Sequence, residues 1–362
     1  MMSTAAPNRD DVLQALRQVV DPVSGRDVAS LGLVRGVECD GQTVLVAYAL
    51  PPQSAGEPMR RQITAQTQQA LAGVPGVRDV RVEFVAAGES AARPLAGVKH
   101  VIAIGAGKGG VGKSTVSVLL AVGLSRRGMK VGLLDADVYG PSIPKLTGTE
   151  DAEPLPDPSG RIELPECDGI RIMSMGYIVP PDQAVIWRGP MAQKYVKEFL
   201  DRGAWGELDY LLVDLPPGTG DIPLTLAQSI PLTGAVVVCT PQDVALLDAI
   251  KALRMYQKLG VEPLGLVENM SYYLCPQCGH REHIFDHGGC ERTARELGVA
   301  FLGAIPLNLS IRVSGDAGRP SDSFAAAGPV AEALNHLSDR LIEEVTRRTA
   351  TRRPLPQLRI SG

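Results

Sequence analysis

The sequence predicts an α/β protein in which a mainly parallel sheet is covered by helices and preceded by a smaller α/β domain. Three observations predict it. From residue 99 onward, short apolar runs such as Val101-Ile102-Ala103-Ile104 and Tyr210-Leu211-Leu212-Val213 alternate with stretches of helical spacing. Strands that are apolar throughout are those of a parallel sheet buried on both faces. The first ~80 residues carry helices and strands of their own, enough for a compact unit. Between the two, a small and polar stretch with Gly88, Pro94 and Gly97 has the composition of a linker. The expected boundaries are 9–86 for the first domain, 87–98 for the linker, 99–346 for the second domain and 347–362 for a basic tail.

In the first domain, Asp10 or Asp11 can cap a helix reaching Val20, with Val12, Leu13, Leu16, Val19 and Val20 on one face. Residues 43–50 read as a mostly buried strand, and a proline-bearing loop over 51–58 leads into a helix over 59–72. Gly73-Val74-Pro75-Gly76 then turns the chain into a strand over 77–84. In the second domain, a helix is expected from the glycine-rich loop to Arg127, with Gly128 as its stop. Strands are expected over 130–134, 169–175, 210–213, 235–240, 264–267 and 301–305. Residues 157–165, rich in proline and charge, read as a surface excursion. A last helix over 330–347 is apolar at Val330, Leu334, Leu337, Leu341 and Val345. The tail beyond it, basic and holding Pro354 and Pro356, is expected to be disordered.

Composition excludes several classes. With 362 residues, 44% of them hydrophobic, the chain has ample material for a core. A net charge of −4 lacks the electrostatic footprint of a nucleic-acid binder, and 4% aromatics offer few platforms for stacking bases. Six cysteines, among them Cys39, which reads as structural, are too sparse for a disulfide scaffold in a chain this long. Neither an apolar leader nor a run approaching a membrane span is present, so a cytoplasmic protein without a membrane partner is expected.

The second domain opens on the stretch Gly107-Lys108-Gly109-Gly110-Val111-Gly112-Lys113-Ser114-Thr115, set between an apolar strand and a helix. Residues 107–114 satisfy G-x-x-x-x-G-K-[ST], and the strand–loop–helix context is the one that a phosphate-binding loop requires. The glycines let backbone N–H groups turn toward phosphate oxygens, and the helix N-terminus adds its positive end. Lys113 would reach the β- and γ-phosphates of ATP, and the Ser114 hydroxyl would join the shell of Mg²⁺. Asp214, an acid at the end of an apolar strand, takes the place of a second Mg²⁺ holder. The domain therefore reads as a P-loop NTPase.

Lys108 narrows the class. The string GKGGVGKST resembles the deviant phosphate loop of the family that holds MinD, ParA, the nitrogenase iron protein and the Mrp-type iron–sulfur cluster carriers. The resemblance implies that Lys108 reaches across a dimer interface to the partner's nucleotide; the alternative is a solvated surface lysine. Asp135-Ala136-Asp137 resembles the family's first switch, where Asp137 would orient the attacking water; otherwise the pair are turn or capping aspartates. Asp214-Leu215-Pro216-Pro217-Gly218-Thr219-Gly220-Asp221 resembles the second switch in its Mrp-like form. Asn269 matches the family's adenine-contacting asparagine, and Trp187-Arg188-Gly189-Pro190-Met191 also resembles the carriers without suggesting a chemistry. The likeness spans residues 98–341. In front of it, Val20-Asp21-Pro22-Val23-Ser24-Gly25 and Ser30-Leu31-Gly32-Leu33-Val34 resemble a SufT-like metal–sulfur cluster assembly domain. That family often carries a cysteine in the loop where this chain has Gln53-Ser54-Ala55-Gly56-Glu57-Pro58, so docking or regulation is the expected role.

Cys275-Pro276-Gln277-Cys278 offers two thiolates that can converge on one metal or cluster. His280, His283, His287 and Cys290 follow, so zinc competes, although C-x₂-C-x₄-H-x₃-H lacks the spacer of about twelve residues that a finger uses. The resemblance implies a homodimeric ATPase that carries a bridging iron–sulfur cluster of the 4Fe–4S type. Each subunit would give Cys275 and Cys278, with Cys290 incidental, and the cargo would pass from scaffold or donor proteins to apoproteins. A MinD-like positioning ATPase and a zinc-stabilised nucleotide switch are the rival readings.

Overall fold

The computed structural model describes residues 7–21, 27–28, 31, 33–40, 42–49, 56–85, 95, 97–157, 160–178, 189–275, 277–325 and 327–351. The loop over 51–55, most of the linker, the Trp187-Arg188 pair, Pro276 and the tail from 352 lie outside the described residues, as do 22–26, 29–30 and 32 of the cluster-assembly motif. The chain divides into two compact units, residues 1–96 and 97–362.

The first unit orders as α1 (Arg9–Leu16), β1 (Val34–Asp40), β2 (Thr43–Ala49), α2 (Glu57–Leu71) and β3 (Asp79–Val85). Strand β2 pairs antiparallel with β1 and parallel with β3. Leu16, Val44, Val46, Tyr48, Ile63 and Leu71 fill a core of their own, and the buried Tyr48 hydroxyl pairs with Thr67 Oγ1 at 2.8 Å. Three expectations shift. Helix α1 stops at Leu16 because Val20 leaves for a bridge with Asp27. Helix α2 begins at Glu57, where Pro58 suits the first turn. Strand β1 was not among the expected elements, and Cys39 on it is exposed rather than packed.

The second unit opens with β4 (Val98–Ala106), α3 (Lys113–Ser125), β5 (Val131–Asp135), α4 (Ile143–Thr147), β6 (Glu166–Cys167) and β7 (Ile170–Ser174). It continues through α5 (Gly189–Arg202), β8 (Leu208–Asp214), α6 (Asp221–Ser229), β9 (Gly234–Cys239), α7 (Asp243–Lys258) and β10 (Pro263–Glu268). It closes with β11 (Tyr273–Leu274), β12 (Arg281–Glu282), α8 (Gly289–Leu297), β13 (Phe301–Ala304), α9 (Leu309–Asp316) and α10 (Pro329–Thr351).

Eight strands form one sheet in the order β13-β10-β9-β4-β8-β5-β7-β6, parallel except for the short edge strand β6. The central strands are buried on both faces, as their unbroken apolar composition requires. Their carboxyl ends deliver Ala106, Asp135, Asp214 and Glu268 to one edge of the sheet, the place where open α/β sheets bind ligands. Residues 160–165 are not a free excursion: Ile162 and Leu164 are buried, and Ile162 bridges to Pro156 and Gly203. Helix α10 presses Leu334, Leu337, Leu341 and Val345 into the core and stays helical to Thr351, so residues 347–351 are not disordered.

Candidate functional site

The phosphate-loop segment leaves β4 at Ala106 and enters α3 at Lys113. Gly112, at φ 80°, is the turn into the helix; a Cβ there would meet Asn269 Nδ2 at 2.3 Å. At Gly107 a side chain would strike the backbone of Asp248 on α7, which lets the loop lie directly on that helix. Lys108, Gly109, Gly110, Val111, Gly112, Lys113, Ser114 and Thr115 line a cleft of about 220 Å³, completed by Asp137, Ser142 and Pro217.

Lys113 sits among carboxylates. Its Nζ lies 2.7 Å from Asp214 Oδ2 and 3.3 Å from Asp137 Oδ2, with all three side chains largely buried. Burial works against the ammonium, but Asp214, Asp137 and Asp135 outweigh it and hold its pKa above the usual lysine value. Ser114 Oγ donates to Asp214 Oδ2 at 2.6 Å. These are hard oxygen donors side by side, and they fit Mg²⁺, a cation that binds through one or two protein oxygens, phosphates and water.

Asp137 Oδ1 accepts the N–H of Tyr139, and burial holds its pKa above the usual carboxylate value despite Lys113. Asp135, wholly buried, accepts from Asp137 N at 3.1 Å, Ile143 N at 3.2 Å and Ser174 Oγ at 2.9 Å. It therefore ties both ends of the segment that carries Asp137 to the end of β7. On the other side, Gly218 N–H donates to Ala106 O at 2.8 Å, which holds the Pro-Pro-Gly segment beside the loop.

Asn269 reaches the loop as well. Its Nδ2 donates to Val111 O at 2.8 Å, so the residue expected at adenine also braces the phosphate loop. Met270 follows at φ 54°, and Ser271 N–H donates to Ile305 O. Leu307 N–H then donates to Tyr272 O at 2.7 Å, and the chain enters the β11–β12 hairpin.

Cys275 and Cys278 stand at the tip of that hairpin. Cys275 N–H donates to His280 O and Gly279 N–H to Cys275 O, both at 2.9 Å, and Gly279 at φ 71° allows the return. Backbone N–H groups of Cys278 and Gln277 point at Cys275 sulfur and hold its pKa below the usual thiol value. Both thiols are free, Cys278 exposed and Cys275 half-exposed. Cys290, by contrast, is wholly buried at the start of α8. Its N–H donates to Glu268 Oε2, and contact with Cys239, burial and Glu268 all push its thiol pKa up. The rings of His283 and His287 lie 4.5 Å apart, yet among the described residues no group of three His, Cys, Asp or Glu is placed to hold a metal ion.

Two side chains in this network carry no motif of their own: Ser117 and Ser174. Ser117 Oγ donates to Asp214 Oδ1 at 2.6 Å. The available signal was its place three residues after Ser114, on the same face of α3.

Residues 97–342 match the family described as ParA, NUBPL iron-transfer P-loop NTPase, and residues 9–84 match the iron-sulfur cluster assembly protein family. An iron-sulfur cluster carrier protein of Deinococcus radiodurans is 45% identical over 348 residues, spanning 95% of this chain and 98% of the relative. One from Synechocystis is 42% identical, spanning 93% and 98%. Among solved structures, a nucleotide-binding protein of Archaeoglobus fulgidus in complex with ADP is 40% identical with a TM-score of 0.58, covering 66% of this chain and 92% of its own. The Pyrococcus furiosus cell division ATPase MinD, 23% identical over 67% of this chain and 98% of its own, shares the fold at a TM-score of 0.52. By the family model over residues 97–342 and the relatives that span nearly the whole chain, the protein belongs to the iron-transfer P-loop NTPases, ATPases of the iron–sulfur cluster carrier family.

Proposed function

We propose that the protein is a homodimeric carrier that binds an iron–sulfur cluster between two copies of the Cys275–Cys278 hairpin and passes it from donor proteins to apoproteins. The observation that carries this reading is the hairpin itself: two accessible thiols, one of them with a depressed pKa, on a segment rooted beside the phosphate loop. An all-cysteine four-iron cluster needs four thiolates, one hairpin supplies two, and a two-fold axis supplies the others.

In this reading ATP lies along residues 107–115, with Asn269 at the base. Lys113 would exchange its carboxylate partners for the β- and γ-phosphates, and Ser114 and Asp214 would hold Mg²⁺. The metal, when bound, neutralises charge on the phosphates. Asp137 orients the water that attacks the γ-phosphorus, and Lys108 of one copy faces the nucleotide of the other. Lys108 is only half-buried at the rim of the cleft, a place from which such a reach is open. Against the zinc rival, Cys290, its third or fourth ligand, is wholly buried against Cys239 and Glu268.

Purification without air tests the proposal. We expect about four iron and four sulfide per pair of chains. Cys275→Ala or Cys278→Ala should lose the cluster while still binding ATP, and Cys290→Ala should keep it. Stoichiometric zinc, bound to every chain in place of iron, would overturn the carrier reading.

A further inference from the structure

We propose that Ser117 is a positioning residue for the Mg²⁺ side of the nucleotide site: its hydroxyl fixes Asp214 Oδ1 and so presents Oδ2 to Ser114 and the metal. The inference rests on the reading of Ser114 and Asp214 as Mg²⁺ holders. Asp214 ends β8 with no exposed surface. Its Oδ2 accepts from Lys113 Nζ at 2.7 Å and Ser114 Oγ at 2.6 Å, while Oδ1 accepts from Ser117 Oγ at 2.6 Å.

A serine inside a helix ordinarily donates to the carbonyl four residues back. Here that carbonyl, Lys113 O, lies 3.1 Å from Ser117 Oγ, farther than Asp214 Oδ1. A hydroxyl has one proton to give, and a charged acceptor at the shorter distance takes it. Ser114 and Ser117 lie on one face of α3, so their hydroxyls grip opposite oxygens of the same carboxylate. The grip stops rotation about the carboxylate's own axis. Without Ser117, Oδ1 would be a buried acceptor lacking a donor, and the carboxylate would be free to turn. Ser117 is wholly buried and lies outside the residues that line the cleft, so a role in touching nucleotide is closed to it.

The test is a Mg²⁺ titration of fluorescent ATP-analogue binding to the full chain, read before turnover. Ser117→Ala should raise the half-saturating Mg²⁺ concentration about ten- to a hundredfold, the range for losing an outer-shell partner of a metal ligand. Binding of the analogue in EDTA should stay unchanged. An unaltered midpoint overturns the proposal, and so does equal weakening with and without Mg²⁺, which would mean that Ser117 only supports the loop. Ser117→Thr and Ser117→Val add the same bulk and differ in the hydroxyl alone, so they decide the matter even if Ser117→Ala folds poorly. The threonine variant should show a midpoint about tenfold below that of the valine variant; equal midpoints overturn the role. Asp214→Asn separates the two possible failures. If it leaves the midpoint unmoved, the metal site is misassigned and the proposal falls with it. If it moves the midpoint and Ser117→Ala does not, only the Ser117 role falls.

Discussion

Asp135 gives the site its clearest pH signature. Burial first, and the charge of Asp214 second, push its pKa up to about 7. An acid whose pKa is raised on folding holds its proton more tightly in the native state. Its contribution to stability is therefore fully present below the ordinary value of 3.8 and is lost as pH rises through about 7. Chemical denaturation across that window should show the wild type losing stability relative to Asp135→Asn as pH rises. Parallel curves would remove Asp135 as the titrating group. The ionised carboxylate is also the better acceptor for its three donors, which hold the segment bearing Asp137. Accordingly, kcat/KM for ATP should climb through the same window, and Asp135→Asn should flatten the climb.

Within the phosphate-loop element the two lysines should separate cleanly. Lys113 is bound into the carboxylates, so Lys113→Ala leaves buried like charges facing one another, at a cost of about 3–5 kcal/mol. It should also abolish productive ATP binding. Lys108→Ala should spare nucleotide affinity, measured by fluorescent analogue, while lowering turnover; full hydrolysis by that variant would remove the reach in trans. This element was legible in the sequence because its chemistry resides in contiguous residue types, glycines for the turn and a lysine for phosphate. Strand β1 was not legible, because Val34-Arg35-Gly36-Val37-Glu38-Cys39-Asp40 mixes charge and glycine and is held by pairing with β2. The contacts among Ser117, Asp135, Asp214 and Ser174 were equally hidden. Residue patterns mark strand ends and helix faces, but only the packed sheet decides which ends meet. Helix α10 outran its expected stop because Glu344 pairs with Arg347 and Arg348 along its last turns, which offsets the polar composition there.

At the scale of the whole molecule, the described residues of each unit bury a hydrophobic core of that unit's own residues. Residues 97–362 expressed alone should fold, hydrolyse ATP and take up a cluster in vitro. If that half folds and hydrolyses ATP but binds no iron, the first unit must supply ligands. No helix among the described residues is long and apolar enough to cross a membrane. The stretch from Asn269 to Cys275 ties the two ends of the second unit's chemistry together, and its attachments set strict rules for sequence change. Asn269 N–H is fixed to Cys239 O, Ser271 N–H to Ile305 O, Tyr272 O to Leu307 N–H, and Cys275 N–H to His280 O. Substitution of an exposed side chain such as Tyr273 leaves all four backbone bonds intact. A single inserted residue does not: it slips the register of β11, turns Tyr273 and Leu274 to opposite faces and displaces the thiols from their turn. Length, more than composition, is what this tether cannot vary.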